Sequence, residues 1–141
     1  MRSRCEGNQE LTAFGVELGR PAAARLAAAG CAEVGAALVS RMRERLDAIR
    51  ERAQHVHSRP RVACIEWIEP LIAAGNWVPE LPEIAGGEYT LTGAGEHSPV
   101  MTWETLVAYQ PDVLVLMPCG FPIGQTQREL SALRAYPQWN M

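Results

Sequence analysis

From Val34 onward, apolar residues recur at Val34, Leu38, Met42, Leu46, Ile49, Ala53 and Val56, always three or four positions apart. That period describes one face of an α-helix, and Arg41, Arg43, Arg45, Arg50 and Arg52 fall largely off the stripe. Upstream, residues 22–29 are alanine-rich, and Pro21 suits a first helical turn, where its missing N–H does no harm. A helix unbroken from 21 to 54 would be about 50 Å long at ~1.5 Å per residue, which is long for a domain of this size. Gly30 and Gly35 are the positions for a bend or a close packing contact within it. A shorter helix is expected over residues 10–18, closed by Gly19.

The period changes after the polar stretch His55-Val56-His57-Ser58-Arg59-Pro60. Residues 62–67 read as a short strand, and residues 68–76, with Pro70 and Gly75, as a loop. A helix starts at Pro79 and ends at Gly86-Gly87, with Pro82 late in its first turn making that start irregular. Residues 89–91 add a brief extended segment before the loop over 93–99. Thr102 is placed to cap a helix running to about Tyr109, with Glu104 in the first turn, where the helix dipole favours a carboxylate. Pro111-Asp112 breaks that helix. Residues 113–117, Val-Leu-Val-Leu-Met, have the unbroken apolar character of a strand buried on both faces. Pro118-Cys119-Gly120-Phe121 follows, then a helix over about 124–135. The order strand, helix, helix, strand, helix predicts an α/β layer with a parallel sheet. Two strands cannot close such a layer, so the chain reads as a fragment cut at both ends.

Composition narrows the function classes. With 141 residues, 48% of them hydrophobic, the chain fits one domain, and no run approaches a membrane span. A net charge of −3 offers no electrostatic case for nucleic acid or an anionic membrane. Cys5, Cys31, Cys64 and Cys119 show no CxxC or zinc-type spacing and leave the compartment open. Residues 1–15 lack the apolar core of a signal peptide, so the options are a cytoplasmic protein or a beginning that lies upstream.

In an open parallel sheet, ligands bind beyond the carboxyl ends of the strands. Glu66, Trp67 and Glu69 after the first strand, and residues 118–121 after the second, are therefore expected at one edge. Trp77 and Trp103 offer flat surfaces for stacking on a ring, or are core residues. Cys119, between a strand and a helix, suits a nucleophile if His97 is its partner, or is a small residue packed at a strand end. Glu104 reads either as a dipole-favoured surface residue or as a docking point for an arginine on a partner protein.

At these same positions, ACIEWIEPLIAAGNWVPELPEIAGG, MTWETLVAYQPDVLVLMPCGF and the terminal YPQW resemble the C-terminal lobe of the cobalamin-binding proteins of ABC importers. Those belong to the helical-backbone class of periplasmic substrate-binding proteins, which also carry iron–siderophores and haem. The resemblance covers residues 10–139. It implies a Rossmann-like α/β lobe with a parallel sheet, part of a two-lobe fold joined by a long interlobe helix. Residues 1–58 would then contain that spine, and residues 59–141 an incomplete C-terminal lobe. The implied function is that of a non-enzymatic substrate-binding component, a monomer, periplasmic, with a corrinoid as transported ligand and no cofactor of its own.

The implied ligand face comprises Glu66, Trp67, Pro70, Leu71, Asn76, Trp77 and Ser98, and Glu104 matches a glutamate that docks on the permease. Two positions depart from the pattern. Asn76 stands where histidine is more usual, which removes a possible metal ligand, and Pro82 replaces an ordinary helical residue. An iron–siderophore or haem protein of the same fold, and a Cys119-dependent α/β enzyme, are the alternatives.

Overall fold

The computed structural model describes residues 24–135 and residue 139. The chain divides into two units, Met1–His57 and Ser58–Met141. The expected helix over 10–18 and the proposed start at Pro21 lie outside the described residues.

In the first unit the helix is not continuous. Residues 24–28 are helical and then stop at Gly30, which takes the left-handed conformation with φ 74°. Cys31 N–H donates to Leu26 C=O at 2.7 Å and Gly30 N–H to Ala27 C=O at 3.0 Å. This pair of bonds is the Schellman closure of a helix end, and it satisfies carbonyls that the last turn would otherwise leave bare. A new helix, α1 (Ala32–Ala53), begins two residues later and runs 22 residues, about 33 Å at ~1.5 Å per residue. A helix unbroken from 21 to 54 is thus not formed: the chain breaks at Gly30, one of the two glycines marked for a bend, while the apolar stripe from Val34 to Ala53 lies within α1. Gly35, the other suspected bend, lies inside α1 without interrupting it.

The second unit is the α/β layer that the order of elements predicts. Strand β1 (Val62–Trp67) is central. Strand β3 (Val113–Leu116) runs parallel to it, with Val62 opposite Val113 and Ile65 opposite Leu116. Strand β2 (Ile72–Ala73) pairs antiparallel on the other side, giving the order β2-β1-β3. Residues 68–76 are therefore not all loop, and the segment beyond Pro99 extends the sheet again through the antiparallel bridge Ile72–Val100. Residues 89–91 form no strand, although Glu88 bridges to Arg61.

Helices α2 (Glu80–Ile84) and α3 (Trp103–Tyr109) lie in the crossover from β1 to β3, and α4 (Ile123–Arg134) follows β3. Pro82 is the third residue of α2, where an N–H has no partner within the helix, so proline removes no bond there. Gly86, with φ 84°, closes that helix with the same two-bond pattern as Gly30: Gly87 N–H to Pro82 C=O and Gly86 N–H to Glu83 C=O. Thr102 caps α3 as expected, its hydroxyl accepting from Thr105 N–H at 3.2 Å.

Alternation along β1 feeds two cores. Ala63 and Ile65 pack with Ile68, Leu71, Trp103, Leu106 and Leu133 on one face. Val62 and Cys64 pack with Ala74, Val78 and Tyr89 on the other. Four successive buried residues, Val62 to Ile65, follow from this double cover. β3 differs from expectation. Leu114 and Leu116 turn to the first core, but Val113 and Val115 are about two-fifths exposed, at 43% and 39%. They share a face with Val62 and Cys64, and the residues that cover β1 on that face do not reach across β3.

Candidate functional site

The carboxyl ends of β1 and β3 meet, as the open-sheet argument requires. Met117 N–H donates to Ile65 C=O at 2.8 Å, joining the two strand exits. Trp67 and Phe121 then stack at an angle, with ring centroids 4.9 Å apart and planes inclined by 60°. This tilted geometry brings the positive edge of one ring to the negative face of the other. The indole N–H of Trp67 donates to Glu69 C=O at 2.9 Å, which turns the chain sharply after the strand. The Glu69–Pro70 peptide is cis, and Pro70 is exposed. Leu71, by contrast, is 5% exposed and belongs to the first core. Its burial leaves it no face for a ligand.

β2 leads into the turn that carries Trp77. Ala74 N–H donates to Cys64 C=O at 2.9 Å, and Asn76 then takes a left-handed backbone with φ 56°. Asparagine adopts that region more readily than most residues, so the Gly-Asn pair allows this reversal. The turn is held from the opposite side by the loop over 93–98. Asn76 N–H donates to Glu96 C=O at 2.6 Å, and Gly95 N–H donates to Asn76 C=O at 2.7 Å. Gly75 N–H donates to the Ser98 hydroxyl at 3.0 Å, and that hydroxyl in turn donates to Glu66 Oε2. Asn76 Nδ2 lies 3.5 Å from the same Ser98 oxygen. Glu66, Asn76 and Ser98 thus form one half-buried cluster. Beside it Trp77 is 55% exposed.

The floor beneath this turn is apolar. Tyr89 and Thr92 both donate their hydroxyls to Ala74 C=O. Burial pushes the Cys64 thiol up to about 11 and the Tyr89 phenol up to about 12, so both are neutral over the physiological range.

The two tryptophans left open by the sequence separate here. Trp103 is buried at 7% in the first core and stacks on Trp139 with centroids 6.2 Å apart, so it is structural. Trp77 alone of the pair offers its face to solvent. Cys119 and His97 are both exposed, and no hydrogen bond joins them among the described residues. Glu104 projects from the first turn of α3, where its own backbone N–H and then the Thr102 hydroxyl hold its carboxyl below the usual range. Glu96, whose backbone C=O holds the turn through Asn76 N–H, is the residue that the sequence did not single out. The glycine-rich run from Gly93 to Gly95 is the available signal for it.

Comparison with solved structures bears on the fold. Over 87% of its length the chain matches 49% of Staphylococcus aureus IsdE, solved as a complex with haem, with a TM-score of 0.74 and 16% identity. It matches an ABC transporter substrate-binding protein of Listeria monocytogenes to the same score at 14% identity, covering 48% of that protein. The fold is that of periplasmic binding proteins. A third match, over 72% of the chain and 42% of the other protein, is the periplasmic vitamin B12 binding protein BtuF of Vibrio cholerae, with a TM-score of 0.51 and 23% identity. The chain therefore spans about half the length of the structures it resembles. No protein-family model and no curated protein sequence matches it.

Proposed function

We propose that this chain is part of the substrate-binding component of an ABC importer, and that its strand-end edge forms one wall of a cleft for a large flat metal-chelate ring. Cobalamin or a related corrinoid is the ligand this reading favours. Trp77 supplies the stacking face, Trp67, Pro70 and Asn76 flank it, and Glu66 and Ser98 lie at its polar margin. In this reading residues 59–141 are one lobe, and residues 1–58 hold the helical link to a second. Glu104 docks on the permease, the protein works as a monomer outside the cytoplasm, and it performs no chemistry on its cargo. No described helix is long and apolar enough to cross a membrane.

One observation supports the proposal: a 55%-exposed indole stands on a turn held by β1 on one side and by the loop over 93–98 on the other, and the Ser98 hydroxyl links that turn to Glu66 near the end of β1. The fold likeness supports it, since proteins solved with haem and named for vitamin B12 share this architecture.

The test is a tryptophan-fluorescence titration of the chain with cyanocobalamin, with haemin and a ferric siderophore as parallel arms. One wall of a cleft should bind weakly, with a dissociation constant of roughly 10–100 µM, and Trp77→Ala should weaken binding about 5–30-fold. A response to haemin or siderophore alone would transfer the reading to that ligand. Absence of any response to all three up to millimolar concentration, or a Trp77→Ala variant that binds as well as the parent, would sink it.

A further inference from the structure

Glu66 and Ser98 meet at the Gly75-Asn76 turn that precedes Trp77, and the hydrogen bonds of the Ser98 hydroxyl are made within the protein. A serine hydroxyl has one proton to donate and two lone pairs to accept with. In Ser98 the proton goes to Glu66 Oε2, one lone pair takes Gly75 N–H at 3.0 Å, and the other faces Asn76 Nδ2 at 3.5 Å. Its capacity is full without a ligand. The residues it joins are far apart in the chain, 32 positions from Glu66 and 22–23 from the Gly75-Asn76 turn.

We infer that Ser98 and Glu66 are positioning residues: a latch that fixes the Gly75-Asn76-Trp77 turn against the loop over 93–98 and so orients the Trp77 face. This inference rests on the function proposed above and reassigns two of its residues from ligand contact to support. Two features of the surroundings fit a latch. The backbone bonds from Asn76 N–H to Glu96 C=O and from Gly95 N–H to Asn76 C=O run between the same two segments. The approach there is so close that a Cβ on Gly75 would sit 2.6 Å from Glu96 O and 2.7 Å from Ser98 N. The side-chain hub lies where the backbone contact is tightest. Removing the hub leaves Gly75 N–H in a buried position without its acceptor, and the turn must open to hydrate it.

The latch and a direct ligand contact respond differently to conservative changes. Glu66→Gln keeps an oxygen that accepts from Ser98, and Ser98→Thr keeps the hydroxyl, so both should preserve the turn. Glu66→Ala and Ser98→Ala should release it.

The readout that needs no ligand is amide hydrogen exchange at Gly75 and Asn76, with circular dichroism to confirm that each variant is folded. Ser98→Ala and Glu66→Ala should speed exchange at those amides at least tenfold, and Ser98→Thr and Glu66→Gln should leave it within about threefold of the parent. Cyanocobalamin affinity should follow the same split, falling three- to tenfold in the alanine variants only. Unchanged exchange in Ser98→Ala would overturn the latch whether or not any ring binds. Loss of affinity in Glu66→Gln with exchange intact would also overturn it, because that marks the carboxylate charge as a ligand contact. A chain that binds none of the rings but shows the exchange pattern would retain the latch and remove only the ligand reading.

Discussion

Gly75→Ala is the sharpest perturbation of the clasp, because its cost is steric and not conformational. The glycine does not occupy the left-handed region, so alanine can adopt its backbone. What alanine cannot do is fit: its Cβ would meet Glu96 O at 2.6 Å, Ser98 N at 2.7 Å and His97 C at 2.8 Å, all of them backbone atoms. Backbone cannot rotate aside as a flexible side chain does, so the turn and the loop must separate. Overpacking of this kind costs about 1–3 kcal/mol. Separation also lengthens the bonds from Gly75 N–H to Ser98, from Asn76 N–H to Glu96 and from Gly95 N–H to Asn76, each contributing about 1 kcal/mol. Since relaxation that relieves the clash is the same movement that breaks the bonds, the two costs overlap, and a total of about 2–4 kcal/mol is expected. For a unit of this size that lowers the melting temperature by roughly 10–20 °C. Gly120→Ala is the control: φ is +77° but nothing lies within 4 Å of an added Cβ, so only the backbone cost of about 1 kcal/mol applies. Thermal melts followed by circular dichroism, with acrylamide quenching of tryptophan emission, report stability and the release of Trp77 together. If Gly75→Ala melts no lower than Gly120→Ala, the loop does not clasp the turn and the reasoning is refuted.

Alkaline pH tests the second core. Cys64 ionises at 9.0 in its ordinary state and about 11 in the fold, because burial disfavours the thiolate; its protonated form is therefore stabilising below pH 9, and up to about 2–3 kcal/mol is lost as the pH rises from 9 to 11. Urea midpoints measured across that interval should fall, and Cys64→Ala should flatten the fall until Tyr89 begins to ionise. Thr102→Ala removes the hydroxyl that accepts from Thr105 N–H and should cost about 1 kcal/mol in urea denaturation; a loss under about 0.3 kcal/mol would mean the cap contributes nothing.

Local chemistry is where the sequence was most legible. Thr102 caps its helix, Gly86 closes the one before it, and both parallel strands sit where their apolar runs predict. Each of these depends on residues within one turn or one strand of each other. The errors come from distant partners. Nothing in Ile72-Ala73 marks a strand; pairing with β1 and with Val100 makes it one. Nothing in Val113 and Val115 says that one face of β3 is open, because that depends on what packs across the sheet 50 residues away in sequence. The helix stripe from Val34 is correct in period, yet the upstream helix is separate because Gly30 takes a positive φ that no periodicity records. Leu71 looked like a loop residue beside a ligand and is core for the same reason that Ile72 is a strand.

Trp77 and Trp103 are the same residue with opposite fates, and their comparison bears on function. Trp103 begins a helix whose inner side, shared with Leu106, joins the core of Ala63, Ile65, Ile68 and Leu71, so its indole is drawn inward. Trp77 follows a left-handed residue that turns the chain away from that core. A single exposed apolar side chain is ordinary on a protein surface and proves nothing by itself. What distinguishes Trp77 is that its turn is not free to hide it. Bonds to Glu96, Gly95 and Ser98 fix the backbone immediately before it, and each comes from about 20 residues away. A flexible turn could fold the indole down over the apolar floor near Val78 and remove its face from water. Holding it out forgoes that burial, which the proposed stacking on a flat ring would recover. A ring that does so would meet a turn whose backbone is already held at Gly75 and Asn76, so that part of the ordering is completed in folding and not in binding.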